Sequence, residues 1–86
     1  MNETYQLFKT DICGFCHRVR HYLDQAGWDI ELRDTLLDPA ARQELIEGGG
    51  RATVPCLRID HGDRVSWLYE SRDIVDYLQA RRAGSG

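Results

Sequence analysis

A chain of 86 residues and 9.9 kDa holds one folded unit, since separate cores form only in chains well beyond this length. Hydrophobic residues make up 42% and charged residues 29% of it, which excludes a disordered, collagen-like or coiled-coil chain. Eleven basic residues against fourteen acidic ones give a net charge of −3, which offers no global electrostatic basis for nucleic-acid binding, and no apolar run approaches a membrane span.

The N-terminal Met1-Asn2-Glu3-Thr4 lacks the basic and apolar regions of an export signal. Three cysteines are an odd and sparse set, unlike the disulfide framework of a small secreted domain, so reduced thiols in a cytoplasmic setting are expected.

Thr4 to Lys9 is β-branched and aromatic enough for a strand. Beyond it Cys16, Val19, Tyr22, Leu23 and Ala26 lie on one helical face, with Arg18, Arg20, His21 and Asp24 opposite and Gly27 as a stop. Trp28 to Asp34 alternates as a half-exposed edge strand does. Asp38 and Pro39 then mark the start of a helix that runs to Gly48-Gly49-Gly50. Cys56 to Asp60 pairs through His61-Gly62-Asp63 with Arg64 to Leu68 as a hairpin. Ser71 caps a last helix carrying Ile74, Val75 and Leu78 inward and Arg81 and Arg82 in its final turn. This gives one domain over residues 1–82 and a flexible tail over 83–86. The order βαβ, helix, hairpin, helix predicts an α/β fold whose parallel pair is extended by the hairpin into a mixed four-stranded sheet.

Cys13-Gly14-Phe15-Cys16 falls where the first strand gives way to the first helix. A thiolate at a helix N-terminus is favoured by the free backbone N–H groups and the positive dipole end, so Cys13 is the natural nucleophile. Cys16, one turn further, is placed to resolve a mixed disulfide. Three other readings compete with redox catalysis. Cys16-His17 completes a C-x-x-C-H haem-attachment pattern, though the chain's one methionine is Met1 and no export signal precedes it. A structural zinc site needs four ligands, and only one C-x-x-C pair is present. The pair can also be two inert thiols.

Three segments together resemble a glutaredoxin: Cys13-Gly14-Phe15-Cys16-His17-Arg18-Val19 after a strand, Gly50-Arg51-Ala52-Thr53-Val54-Pro55, and the hairpin followed by a capped helix. The resemblance implies a thioredoxin-like fold with three helices flanking the sheet, a cis peptide before Pro55, and a glutathione-dependent thiol–disulfide oxidoreductase. On that reading Cys13 attacks and Cys16 resolves, while Phe15, Arg51, Thr53, Val54 and Pro55 hold glutathione as co-substrate, with the Val54 backbone meeting the cysteinyl part. Glu70-Ser71 resembles the corresponding turn of glutathione transferase N-terminal domains, which assigns the γ-glutamyl carboxylate to Ser71 and its helix N-terminus and the γ-glutamyl amine to Glu70. The partners implied are disulfide-containing or glutathionylated proteins, met by a monomer.

Gly14-Phe15 replaces the Pro-Tyr of many dithiol members and resembles the iron–sulfur-associated monothiol ones. A second reading is therefore a carrier in which Cys13 from two protomers and two glutathiones ligate a [2Fe–2S] cluster; a third is a non-catalytic glutathione-binding domain. Lys9 lies one residue too early to match the family's lysine, which makes Arg51 the alternative partner for the glycyl carboxylate. Cys56, Trp28 and Trp67 are read as packing residues.

Overall fold

The computed structural model describes residues 3–84. Strand β1 (Thr4–Lys9) is followed by helix α1 (Gly14–Ala26), β2 (Glu31–Asp34), α2 (Pro39–Gly49), β3 (Cys56–Asp60), β4 (Val65–Leu68) and α3 (Ser71–Gly84). The sheet order is β2-β1-β3-β4. β1 pairs in parallel with β2, Leu7 opposite Leu32, and antiparallel with β3, Leu7 opposite Leu57; β3 and β4 form the hairpin. This is the mixed sheet with three flanking helices that the element order predicts.

Both faces of the sheet are covered, and side-chain alternation sorts the core. On one face Leu7, Leu57 and Ile59 pack with Val19 and Leu23 of α1 and Ile74 and Leu78 of α3. On the other, Phe8 and Cys56 meet Ala41 and Leu45 of α2, with Val54, Trp67 and Tyr69 around them. The two tryptophans are packing residues: Trp28 stands edge-on to Tyr5, and Trp67 lies tilted against Phe8.

The expected β2 loses its first three residues. Gly27 ends α1 in the left-handed conformation, and the Trp28 N–H is drawn to the Leu23 carbonyl (2.9 Å), so the chain serves the helix cap before it joins the sheet. β4 starts one residue late because the Arg64 carbonyl closes the turn by accepting from His61 N (2.9 Å). Helix α2 begins as expected, the Asp38 carboxylate accepting from Ala40 N ahead of Pro39. At its far end both of its glycines are required by contact. A Cβ at Gly48 would overlap the Trp67 indole and one at Gly49 the Tyr69 hydroxyl, so α2 lays bare backbone against the two aromatic rings. Beyond Arg82, Ala83 and Gly84 continue α3 rather than forming a tail, and Ser85 and Gly86 lie outside the described residues.

Glu3, just before β1, joins elements remote in sequence. Its carboxylate accepts from the hydroxyls of Tyr5 (2.7 Å) and Tyr77 (2.8 and 3.0 Å) and pairs with Arg81 Nη2 (2.9 Å) and His61 Nδ1 (3.0 Å). Burial works to raise its pKa, but the tyrosine hydrogen bonds and the Arg81 and His61 charges outweigh it and hold the carboxyl below the usual range.

Candidate active site

The site is assembled where the β1–α1 turn, the Gly50–Pro55 loop and the start of α3 meet. Cys13 is the N-cap of α1: it has extended dihedrals (φ −96°, ψ 116°), and its sulfur accepts from Cys16 N at 3.3 Å. No acidic residue lies in the helix's first turn, so the dipole end acts on the sulfur without a competing carboxylate there. Across the site the Cys13 thiol faces the Val54 carbonyl at 3.8 Å. The Val54–Pro55 peptide is cis, in agreement with the family-based expectation.

Cys16 lies directly behind and is fully buried. Burial, and to a lesser degree its hydrogen bond with Cys13, pushes its thiol up to about 12. Cys56 is also fully buried, in the α2-side core, and burial raises it to about 12. The three thiols are free, and among the described residues no group of three or more His, Cys, Asp or Glu side chains converges as for a metal ion.

Beside Cys13 lies a cleft of about 220 Å³ lined by Phe15, Arg51, Thr53, Val54, Pro55, Tyr69, Glu70 and Ser71. It brings together all seven residues that the resemblance assigns to glutathione, from three separate stretches of chain. The cysteines do not line it; Cys13 reaches it through Val54. The Arg18 guanidinium lies 5.9 Å from the centroid of the Phe15 ring, and that of Arg51 lies 4.3 Å from the centroid of Tyr69. Ser71 is buried, and it is the first residue of α3 rather than its cap: the Glu70 carbonyl accepts the first helical bond from Ile74 N (2.9 Å). Glu70 takes the cap position because its carbonyl accepts that bond, and the helix N-terminus still opens on the cleft.

Lys9 is committed elsewhere. Its buried Nζ bridges Asp11 (2.7 Å) and Asp34 (3.3 Å), and the hydrogen bond to Asp11 leads the effects that raise its pKa. Asp34 in turn accepts from Leu36 N and Leu37 N (2.9 Å each), so the β2–α2 loop is pinned to the turn that carries Cys13. Arg20 and His17 also attach to Asp11, at its carboxylate (3.3 Å) and its carbonyl (2.6 Å) respectively.

The one cleft residue missing from the sequence reading is Tyr69. The strand-to-turn position it occupies carries no motif; the only signal was the glycine run that lets α2 approach it.

The glutaredoxin family model matches residues 6–65, a span that includes the cysteine pair, the Thr53-Val54-Pro55 segment, most of β1 and all of β2 and β3. The chain belongs to the glutaredoxin family. It is 31% identical over 55 residues to Glutaredoxin 3 of Escherichia coli (strain K12), an alignment that covers 64% of this chain and 66% of the relative, just under two thirds of its length. Among solved structures it is similar to maleylacetoacetate isomerase from Anaeromyxobacter dehalogenans 2CP-1 with bound GSH in the active site. The TM-score is 0.71 at 26% identity, covering 93% of this chain and 38% of the isomerase. The glutaredoxin of Brucella melitensis shares the fold, with a TM-score of 0.61 at 20% identity over 95% of this chain and 85% of that one. The glutaredoxin fold thus carries, in this chain, a capped Cys13, a buried Cys16 and a cleft beside them. Among the described residues no helix is long and apolar enough to cross a membrane.

Proposed function

We propose that this glutaredoxin is a glutathione-dependent thiol–disulfide oxidoreductase acting on glutathionylated proteins and protein disulfides. The observation that carries the reading is the placement of Cys13 at the N-cap of α1, facing Val54 at the edge of a cleft whose lining matches the residues expected to hold glutathione. Ser71 and the N-terminus of α3 supply an anion site for the γ-glutamyl carboxylate, Glu70 a partner for the amine, and Arg51 a cation for the glycyl carboxylate.

With a glutathionylated protein, the Cys13 thiolate attacks the glutathione sulfur. A Cys13–glutathione disulfide forms, the protein's S–S bond breaks, and the departing protein thiolate takes up a proton. A second glutathione thiolate then attacks the bound glutathione sulfur, releasing oxidised glutathione and the Cys13 thiolate. With a protein disulfide, Cys13 forms a mixed disulfide with one protein sulfur. Cys16 loses its proton and attacks Cys13, leaving a Cys13–Cys16 disulfide and a reduced protein. Two further glutathiones regenerate the pair. With its thiol near 12, Cys16 is almost wholly protonated at neutral pH, so at saturating glutathione its attack on the Cys13–glutathione disulfide is slow and deglutathionylation proceeds through the second glutathione.

The test is a pair of variants assayed with a glutathionylated peptide and with a protein disulfide, at saturating glutathione. Cys13→Ser is expected to abolish both reactions. Cys16→Ser is expected to keep deglutathionylation within about twofold and lose most of the disulfide reduction. Substantial turnover by Cys13→Ser would overturn the proposal, and glutathione binding without turnover by the native protein would leave a binding domain in its place.

A further inference from the structure

We propose that Tyr69 is a positioning residue for the anion end of the cleft: it holds the Arg51 guanidinium where it receives the glycyl carboxylate, and so sets the preference for ligands that carry that carboxylate. The inference rests on the reading of the cleft as a glutathione site and deepens it. Tyr69 grips Arg51 twice. Its hydroxyl donates to the Arg51 carbonyl at 3.0 Å, fixing the backbone just past α2, and its ring lies under the guanidinium at 4.3 Å. Both residues line the cleft.

Stacking suits this task. A guanidinium laid on a ring keeps its N–H donors in the plane and directed outward, available for a bidentate carboxylate. Half of the chain's ten arginines are committed to carboxylates: Arg20, Arg33, Arg58, Arg64 and Arg81 each pair with one. Among the described residues no carboxylate pairs with Arg51, so its charge is reserved. The approach is itself built in, because only a residue without a Cβ at position 49 lets α2 come up to the Tyr69 hydroxyl.

The experiment measures KM and kcat for glutathione and for its glycyl monoethyl ester, in which that carboxylate is masked. The native protein is expected to show a KM roughly tenfold higher for the ester, the scale of one charge-assisted pair. Tyr69→Leu, which removes both grips, is expected to raise the glutathione KM roughly tenfold and bring the two KM values within about twofold. Its kcat should stay near native. Tyr69→Phe keeps the ring and loses the hydroxyl, and its KM should rise roughly threefold. Arg51→Ala should erase the preference for the free carboxylate, and adding Tyr69→Phe to it should change nothing further.

A Tyr69→Leu protein that keeps the full preference overturns the proposal, as does additivity of Arg51→Ala and Tyr69→Phe. If Tyr69→Leu does not fold, the Arg51→Ala and Tyr69→Phe cycle decides alone. A native protein whose rate does not saturate with glutathione overturns the glutathione reading itself, a result distinct from saturation without discrimination between acid and ester.

Discussion

Replacing Glu3 by glutamine tests how the ends of the chain are held. The carboxylate side chain is only 15% exposed and accepts from two tyrosine hydroxyls while pairing with His61 and Arg81. Glutamine keeps one acceptor oxygen, loses the charge, and points its own NH₂ at groups that are already donors. Arg81 is 52% exposed, so its pair adds little; the cost lies in the two tyrosine bonds and the buried His61 contact. Hydrogen bonds to a charged group contribute about 1.5–3 kcal/mol each, and glutamine retains part of that, which gives a loss of about 2–3 kcal/mol. For a domain of this size the melting temperature then falls by roughly 10–20 °C. Because the folded-state pKa of Glu3 lies below its unfolded value, the stabilisation is complete above about pH 4.3 and disappears as pH drops through the folded value. Urea unfolding of both proteins at pH 6 and at pH 3 measures this directly. A difference below about 0.5 kcal/mol at pH 6, or one that persists unchanged at pH 3, refutes the reasoning.

Iodoacetamide applied to the native reduced protein at pH 7–8 is expected to label Cys13 alone, since Cys16 and Cys56 are buried and protonated; peptide mapping that finds Cys16 labelled at a comparable rate would contradict the site described. Both buried thiols have folded pKa values raised to about 12, so their neutral forms stabilise the fold below about pH 8.5 and that contribution fades as pH rises toward 12. Cys56→Ala should therefore flatten the alkaline limb of a stability–pH curve, whatever it costs at pH 7. Gly48→Ala would gain roughly 0.5–1 kcal/mol in an ordinary helix, yet here it is expected to lose about 1–3 kcal/mol, because the new methyl group overlaps the Trp67 ring. Circular dichroism melts give the sign.

Local signals were the most legible. The Cys56–Asp60 arm of the hairpin and the Asp38-Pro39 start of α2 follow from neighbours within a few residues, and so does the placement of Cys13 at a helix start. The cleft was legible only through family resemblance, because its lining comes from residues 15, 51, 53–55 and 69–71, and no periodicity links those stretches. Tyr69 escaped for the same reason: what makes it matter is a glycine twenty positions earlier that admits its hydroxyl. Ser71 was displaced by one residue because an N-cap motif marks the turn without fixing which carbonyl accepts the first helical bond, here that of Glu70. The Glu3 cluster was illegible, since residues 3, 5, 61, 77 and 81 meet only after β1 is seated in the middle of the sheet and α3 has crossed it.

The sheet's two faces are unequally filled, and that inequality has a dynamic consequence. Seven buried residues lock α1 and α3 to one side, whereas α2 is held on the other by a cluster of four and by bare glycine backbone against Trp67 and Tyr69. Local opening favours the element with the smaller apolar contact, so α2 amides should exchange with solvent ahead of those in α1 and α3. Arg51 follows directly on α2, whereas Cys13 is seated at the start of α1. The reactive sulfur thus rests on the slow side of the molecule and the ligand's anchor on the fast side, so a tripeptide that bridges the two would slow exchange in α2.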